Sequence, residues 1–279
     1  MPFLIVLFSI LSFSHANDAI TPELMNLIKD KEAQIRADMQ KKNWTDEKVF
    51  SAYLTVGDEF TFSAQPVLAS YFFKQAVEMK KVANKYPGYF RWCASLLVSD
   101  NRDELKKVVA KLEEYNRGQK VSESTQVQTI FYKFMSTDQL YNEFFDKKMS
   151  KLIEKGKGLG EAIIQHDIRV YFERKKYSEV IKLYDKNKLK SARSDQSIIF
   201  DVAAYLENPK NSKQNLLCAA DYENYPQSRK GSYAMSLCGI LLTLQKGEKP
   251  ESSEFDRIAA ILKERAPDRL YLVKNLQAK

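Results

Sequence analysis

The chain has 279 residues, 44 of them Lys or Arg and 36 Asp or Glu, for a formal net charge of +8. The cations are interleaved with acids, as in Lys29-Asp30-Lys31-Glu32 and Asp103-Glu104-Leu105-Lys106-Lys107. That is the pattern of a solvated helix surface, without the basic stripe and stacking aromatics of a nucleic-acid footprint, so nucleic acid is excluded as a partner and only a weak attraction to anionic envelope polymers remains.

The first sixteen residues carry an apolar block from Phe3 to Leu11 and small residues at Ser14 and Ala16. Signal peptidase needs small side chains at those two places, so residues 1–16 are expected to be a signal peptide cut after Ala16, and residues 17–279 a single periplasmic or secreted domain. The block is shorter than the roughly 20 apolar residues of a membrane span, no later stretch approaches that length, and no Cys follows the cut to carry a lipid.

Beyond Ala16 the apolar residues recur at helical spacing almost everywhere. Thr21 caps a first helix opening at Pro22, with Leu24, Leu27, Ile28, Ile35 and Met39 along one stripe. Thr45 starts the next helix, with Val49, Tyr53 and Val56 on its stripe. A helix from Pro66 to Ala83 is expected to stop at Tyr86-Pro87-Gly88. Further helices are expected over 88–99, 102–116, 122–134, 137–155, 159–174, 177–188, 194–207, 212–223, 228–246, 251–265 and 267–277. Short polar breaks such as Asp100-Asn101 and Arg117-Gly118-Gln119 force consecutive helices to pack antiparallel. Asn84-Lys85-Tyr86-Pro87 and Asn224-Tyr225-Pro226 read as the same helix-ending chemistry. Pro226 follows Pro87 by 139 positions, about four units of roughly 35 residues, the period of helix–turn–helix repeats. The expected fold class is therefore all-α, about six hairpins with an extra helix at each end.

The stretch from Tyr171 to Tyr184 (YFERKKYSEVIKLY) resembles a tetratricopeptide repeat, with aromatics near the end of its first helix, at the turn and in its second helix. Tyr132 and Phe145 repeat the thirteen-residue spacing of Tyr171 and Tyr184. The resemblance implies a right-handed superhelical stack of antiparallel helix pairs whose first helices line a concave binding groove. If Tyr171 holds the interlocking place, it puts Ala162, Gln165, Arg169 and Phe172 on the groove side, with Arg169 as the specificity element for a carboxylate or carbonyl. The alternative is that the same stripe packs against the next hairpin.

Groups that could carry chemistry are scarce. With His15 removed with the signal peptide, His166 is the only histidine, so a multi-histidine metal site within one chain is excluded, and neither metal nor cofactor is expected. Gly156-Lys157-Gly158-Leu159-Gly160 lacks the spacing and the preceding strand of a phosphate loop and reads as a turn, with Gly156 in the left-handed position. Cys93 has no histidine nearby in sequence to activate it. Cys218 and Cys238 flank the turn at Tyr225-Pro226, where antiparallel helices can bring them into a disulfide; two buried thiols are the alternative. Asn43-Trp44-Thr45 is a glycosylation sequon, meaningful in a eukaryotic host.

The function expected is that of a non-enzymatic scaffold or adaptor binding a protein or peptide in the cell envelope or exterior. The rival is a peptidoglycan hydrolase working through a carboxylate pair.

Overall fold

The computed structural model describes residues 22–63, 65–156, 158–187, 194–209, 216–219 and 233–278. The expected signal peptide, most of the expected helix 212–223 and the turn at Tyr225-Pro226 lie outside them. Among the described residues every regular element is helical and no strand occurs. In chain order the helices are α1 (Pro22–Lys42), α2 (Asp46–Phe62), α3 (Pro66–Glu78), α4 (Tyr86–Val98), α5 (Arg102–Asn116), α6 (Glu123–Met135), α7 (Tyr141–Phe144), α8 (Lys147–Ile153), α9 (Gly160–Glu173), α10 (Tyr177–Lys186), α11 (Ser194–Glu207), α12 (Tyr233–Gln245) and α13 (Ser252–Arg265). A 3-10 turn (Pro267–Arg269) then leads into α14 (Leu270–Gln277). No helix among the described residues is long and apolar enough to cross a membrane.

Local chemistry explains the starts and stops. The Thr45 hydroxyl accepts from Lys48 N–H, Asn101 from Glu104 N–H, Ser122 from Thr125 N–H and Asp146 from Lys148 and Met149 N–H, satisfying amides that have no partner inside a first turn. Four helices end in one motif. After α1, α4, α9 and α12 the chain passes through a left-handed residue (Asn43, Asp100, Lys175 and Gly247), and the next amide reaches back five residues. Those bonds are Trp44 N–H to Met39 O at 3.2 Å, Asn101 to Leu96 at 2.9 Å, Lys176 to Tyr171 at 2.9 Å and Glu248 to Thr243 at 3.2 Å. This closure takes up the last carbonyls and turns the chain within a few residues.

Three boundary expectations are corrected. The helix begun at Pro66 stops at Glu78 because the link to α4 is tied elsewhere: Tyr115 OH donates to Ala83 O at 2.9 Å and accepts from Lys85 N–H at 3.1 Å, while Lys85 Nζ donates to Val77 O. Tyr86-Pro87-Gly88 opens α4 and does not end α3, since Pro in a first turn costs no hydrogen bond. The expected helix 137–155 is broken into α7 and α8. The Glu143 carboxylate caps Leu140 N–H at 2.9 Å, Phe145 is extended, and Tyr141, Phe144 and Phe145 gather around the buried Phe134 ring at 5.0–6.3 Å. Ring packing wins over continuing the helix there.

The chain forms two compact units, Met1–Gly160 with Glu264–Pro267, and Glu161–Lys263 with Asp268–Lys279. In the first, α2, α3, α4, α5 and α6 pack consecutively. Trp92, Phe72, Phe73 and Phe134 are at most 1% exposed, each worth about 1.5–3 kcal/mol of burial or more. Helices two apart also meet. Arg91 of α4 donates through Nε to both Asp58 oxygens of α2 (2.9 and 3.2 Å), Phe90 of α4 stacks on Tyr132 of α6 at 6.1 Å, and Tyr71 OH of α3 donates to Glu32 of α1 at 2.8 Å.

In the second unit α10 packs on α11, and α11 on α12 and α14. Tyr184 meets Phe200 at 5.6 Å, and Tyr177 OH donates to Asn275 Oδ1 at 2.8 Å.

Candidate functional site

The four residues expected to line a groove stand on one face of α9, three or four apart, and that face is turned inward. Ala162 and Arg169 are each 7% exposed, Phe172 is fully buried and Gln165 is half-buried. The Phe172 ring lies 4.9 Å from that of Tyr271 and 5.6 Å from that of Tyr177. Arg169 Nη1 donates to Glu173 Oε1 at 2.6 Å, one turn along the same helix. Gln165 Nε2 has no hydrogen-bond partner among the described residues. Of the two neighbouring aromatics, Phe172 is the buried one and packs against Tyr177, while Tyr171 is half-exposed. The half-exposed face is then the one bearing Ile164, Asp167 and Tyr171.

The candidate reactive groups are sequestered. His166 is 2% exposed. Cys93 is fully buried, and burial pushes its thiol far above its ordinary value, the reverse of what a nucleophile needs. The carboxyl of Asp201 is pushed up to about 6 by burial, against the lowering effect of two backbone amides that it accepts from. A general acid of a glycosidase sits in that range, yet Asp201 is 1% exposed and out of reach of a polymer. Among the described residues no three His, Cys, Asp or Glu side chains gather as metal ligands.

Three sequence signals resolve into structure. In the glycine-rich turn the left-handed residue is Gly158, not Gly156. Gly156 is needed for space, because a Cβ there would run into Leu159 and Val127. In the sequon, Asn43 is the exposed left-handed residue closing α1 and Thr45 is the cap of α2, which accounts for both without a glycan. Cys218 and Cys238, both fully buried, are joined as a disulfide with their Cα atoms 6.0 Å apart.

Asp201 and the Asp58–Arg91 pair are two polar features that residue spacing did not single out. Asp201 had a signal: it shares the stripe Ile198, Asp201, Val202 and Tyr205, an acid at a core position of an otherwise apolar helix. No protein-family model, no curated protein and no solved structure matches this chain.

Proposed function

We propose that the chain is an exported, non-enzymatic helical-repeat protein, a right-handed tetratricopeptide-like stack that binds a protein or peptide partner in the cell envelope or exterior. The observation that carries this reading is the contact between alternate helices in the first unit, Asp58–Arg91 from α2 to α4 and Phe90–Tyr132 from α4 to α6. A bundle closes its helices around one core, whereas a repeat stack sets every second helix side by side and so generates an extended face. The sequestered state of His166, Cys93 and Asp201 supports binding over catalysis. On α9, the half-exposed Ile164, Asp167 and Tyr171 are the ligand-facing residues of this reading.

Zymography on peptidoglycan tests it against the hydrolase alternative. The expected result is no clearing at the position of the purified chain. A clearing band that disappears when one surface Glu is changed to Gln would replace scaffold by enzyme. Intact mass of the protein from its native source bears on export: a chain beginning at Asn17 is expected, and retained Met1 would remove the envelope location.

A further inference from the structure

Asp201 stands mid-helix in α11 with 1% of its surface exposed, and its two oxygens are divided between consecutive amides of another segment. Oδ1 accepts from Leu217 N–H at 3.0 Å and Oδ2 from Cys218 N–H at 2.8 Å. These amides open the helical turn 217–219 and so have no partner within it. Bonds to an ionised acceptor are about twice as strong as neutral ones, and a buried carboxylate without donors is costly, so carboxylate and amides depend on each other. The sulfur of the same Cys218 is bonded to Cys238 of α12, and α12 packs on α11. The turn is therefore fixed twice, by its backbone to α11 and by its side chain to α12.

We propose that Asp201 is the positioning residue of a redox clasp: its carboxylate holds the backbone at 217–218 so that, in the dithiol form, the Cys218 sulfur is already set against Cys238. Closure needs an oxidant of the low-molecular-weight disulfide class. One cysteine thiolate attacks that disulfide, forming a mixed disulfide and releasing one small thiolate. The second cysteine thiolate then attacks the protein sulfur, closing Cys218–Cys238 and releasing the other. The two electrons leave with the two small thiols, which take up the two cysteine protons. Orientation by the carboxylate raises the effective concentration of one cysteine at the other, and by reciprocity the closed bond holds the amides on Asp201.

The test equilibrates the full chain with defined ratios of reduced and oxidised glutathione, quenches it with acid, alkylates free thiols and maps Cys218–Cys238 by peptide mass. Asp201→Ala is expected to shift the dithiol–disulfide equilibrium tenfold or more toward the dithiol, and Asp201→Asn, which keeps one acceptor, by less. Hydrogen exchange at Leu217 and Cys218 should quicken in both variants. Val202→Ala, a core truncation beside Asp201, should leave the equilibrium at the wild-type value. If Asp201→Ala fails to fold, Asp201→Asn decides by the same measurement. An unchanged equilibrium in the Asp201 variants, or an equal shift in Val202→Ala, would overturn the proposal.

Discussion

At Gly57 the ring of Phe73 occupies the volume that a Cβ would need, and Phe73 is 1% exposed, so it has nowhere to go. Gly57→Ala gains up to about 1 kcal/mol of helix propensity but overpacks the core at a cost of about 1–3 kcal/mol. We expect a net loss of stability in urea unfolding; a net gain would mean that the ring moves freely. Lys175 presents the opposite case. It holds a left-handed conformation at the end of α9, a place where glycine carries no Cβ penalty. Lys175→Gly should therefore stabilise, by about 0.5–1 kcal/mol after the entropy of glycine is counted, and a lower midpoint would contradict the assignment of that motif. Asp201 gives a pH dependence. Its folded carboxyl is raised to about 6 from an ordinary value near 3.8, so the folded chain holds this proton more tightly than the unfolded chain. Its contribution is most favourable at low pH and is lost as pH rises toward and through about 6. Relative to Asp201→Asn, the wild type should lose roughly 2 kcal/mol of stability between about pH 4 and pH 7. Parallel pH profiles for the two proteins would show that Asp201 is not buried as described.

At the scale of elements, the helices whose ends are written in local chemistry were legible. α5 and α11 occupy the expected residues, α6, α9 and α10 agree to within two at either end, and α2 starts behind Thr45 as expected, because Thr45, Asn101 and Ser122 act as caps and the apolar spacing runs uninterrupted between them. What the sequence hid was decided by partners far along the chain. Tyr115, some thirty residues on, orders the link after α3, and the Phe134 ring breaks the helix expected over 137–155. On α9 the same limit holds: Tyr171 and Phe172 are both aromatic, and only packing against Tyr177 and Tyr271 shows that Phe172 is the one inside. Spacing proposes a face; neighbours choose it. The elements also differ in how firmly they are held. Among the described residues α1 buries only Ile28 and Ile35 fully, where α3 buries seven residues, and its polar ties include Lys31–Glu59 and Tyr71–Glu32. α1 should open locally, its slowest amides exchanging at least about tenfold faster than those of α3. Tyr71→Phe, which removes a donor to Glu32, should speed α1 alone. Exchange of α1 and α3 at one common rate would contradict this ranking.

For the whole molecule, each unit has its own core and the polar surface around it mixes both signs of charge, as the interleaved sequence implies. In the first unit side chains of alternate helices touch, Asp58 with Arg91 and Phe90 with Tyr132, and on the function proposed above the chain works through its surface. Such a protein is defined by what it holds, so the most direct measurement is cross-linking in the native source, at native expression level, followed by purification of the tagged chain and quantitative mass spectrometry. One protein or peptide partner should be enriched in near-stoichiometric amount, and its yield should fall about tenfold or more when Tyr171 is changed to Ala or Asp167 to Lys in a chain that keeps its helix content. Recovery of the chain alone, or of a partner indifferent to both substitutions, would contradict the proposed function.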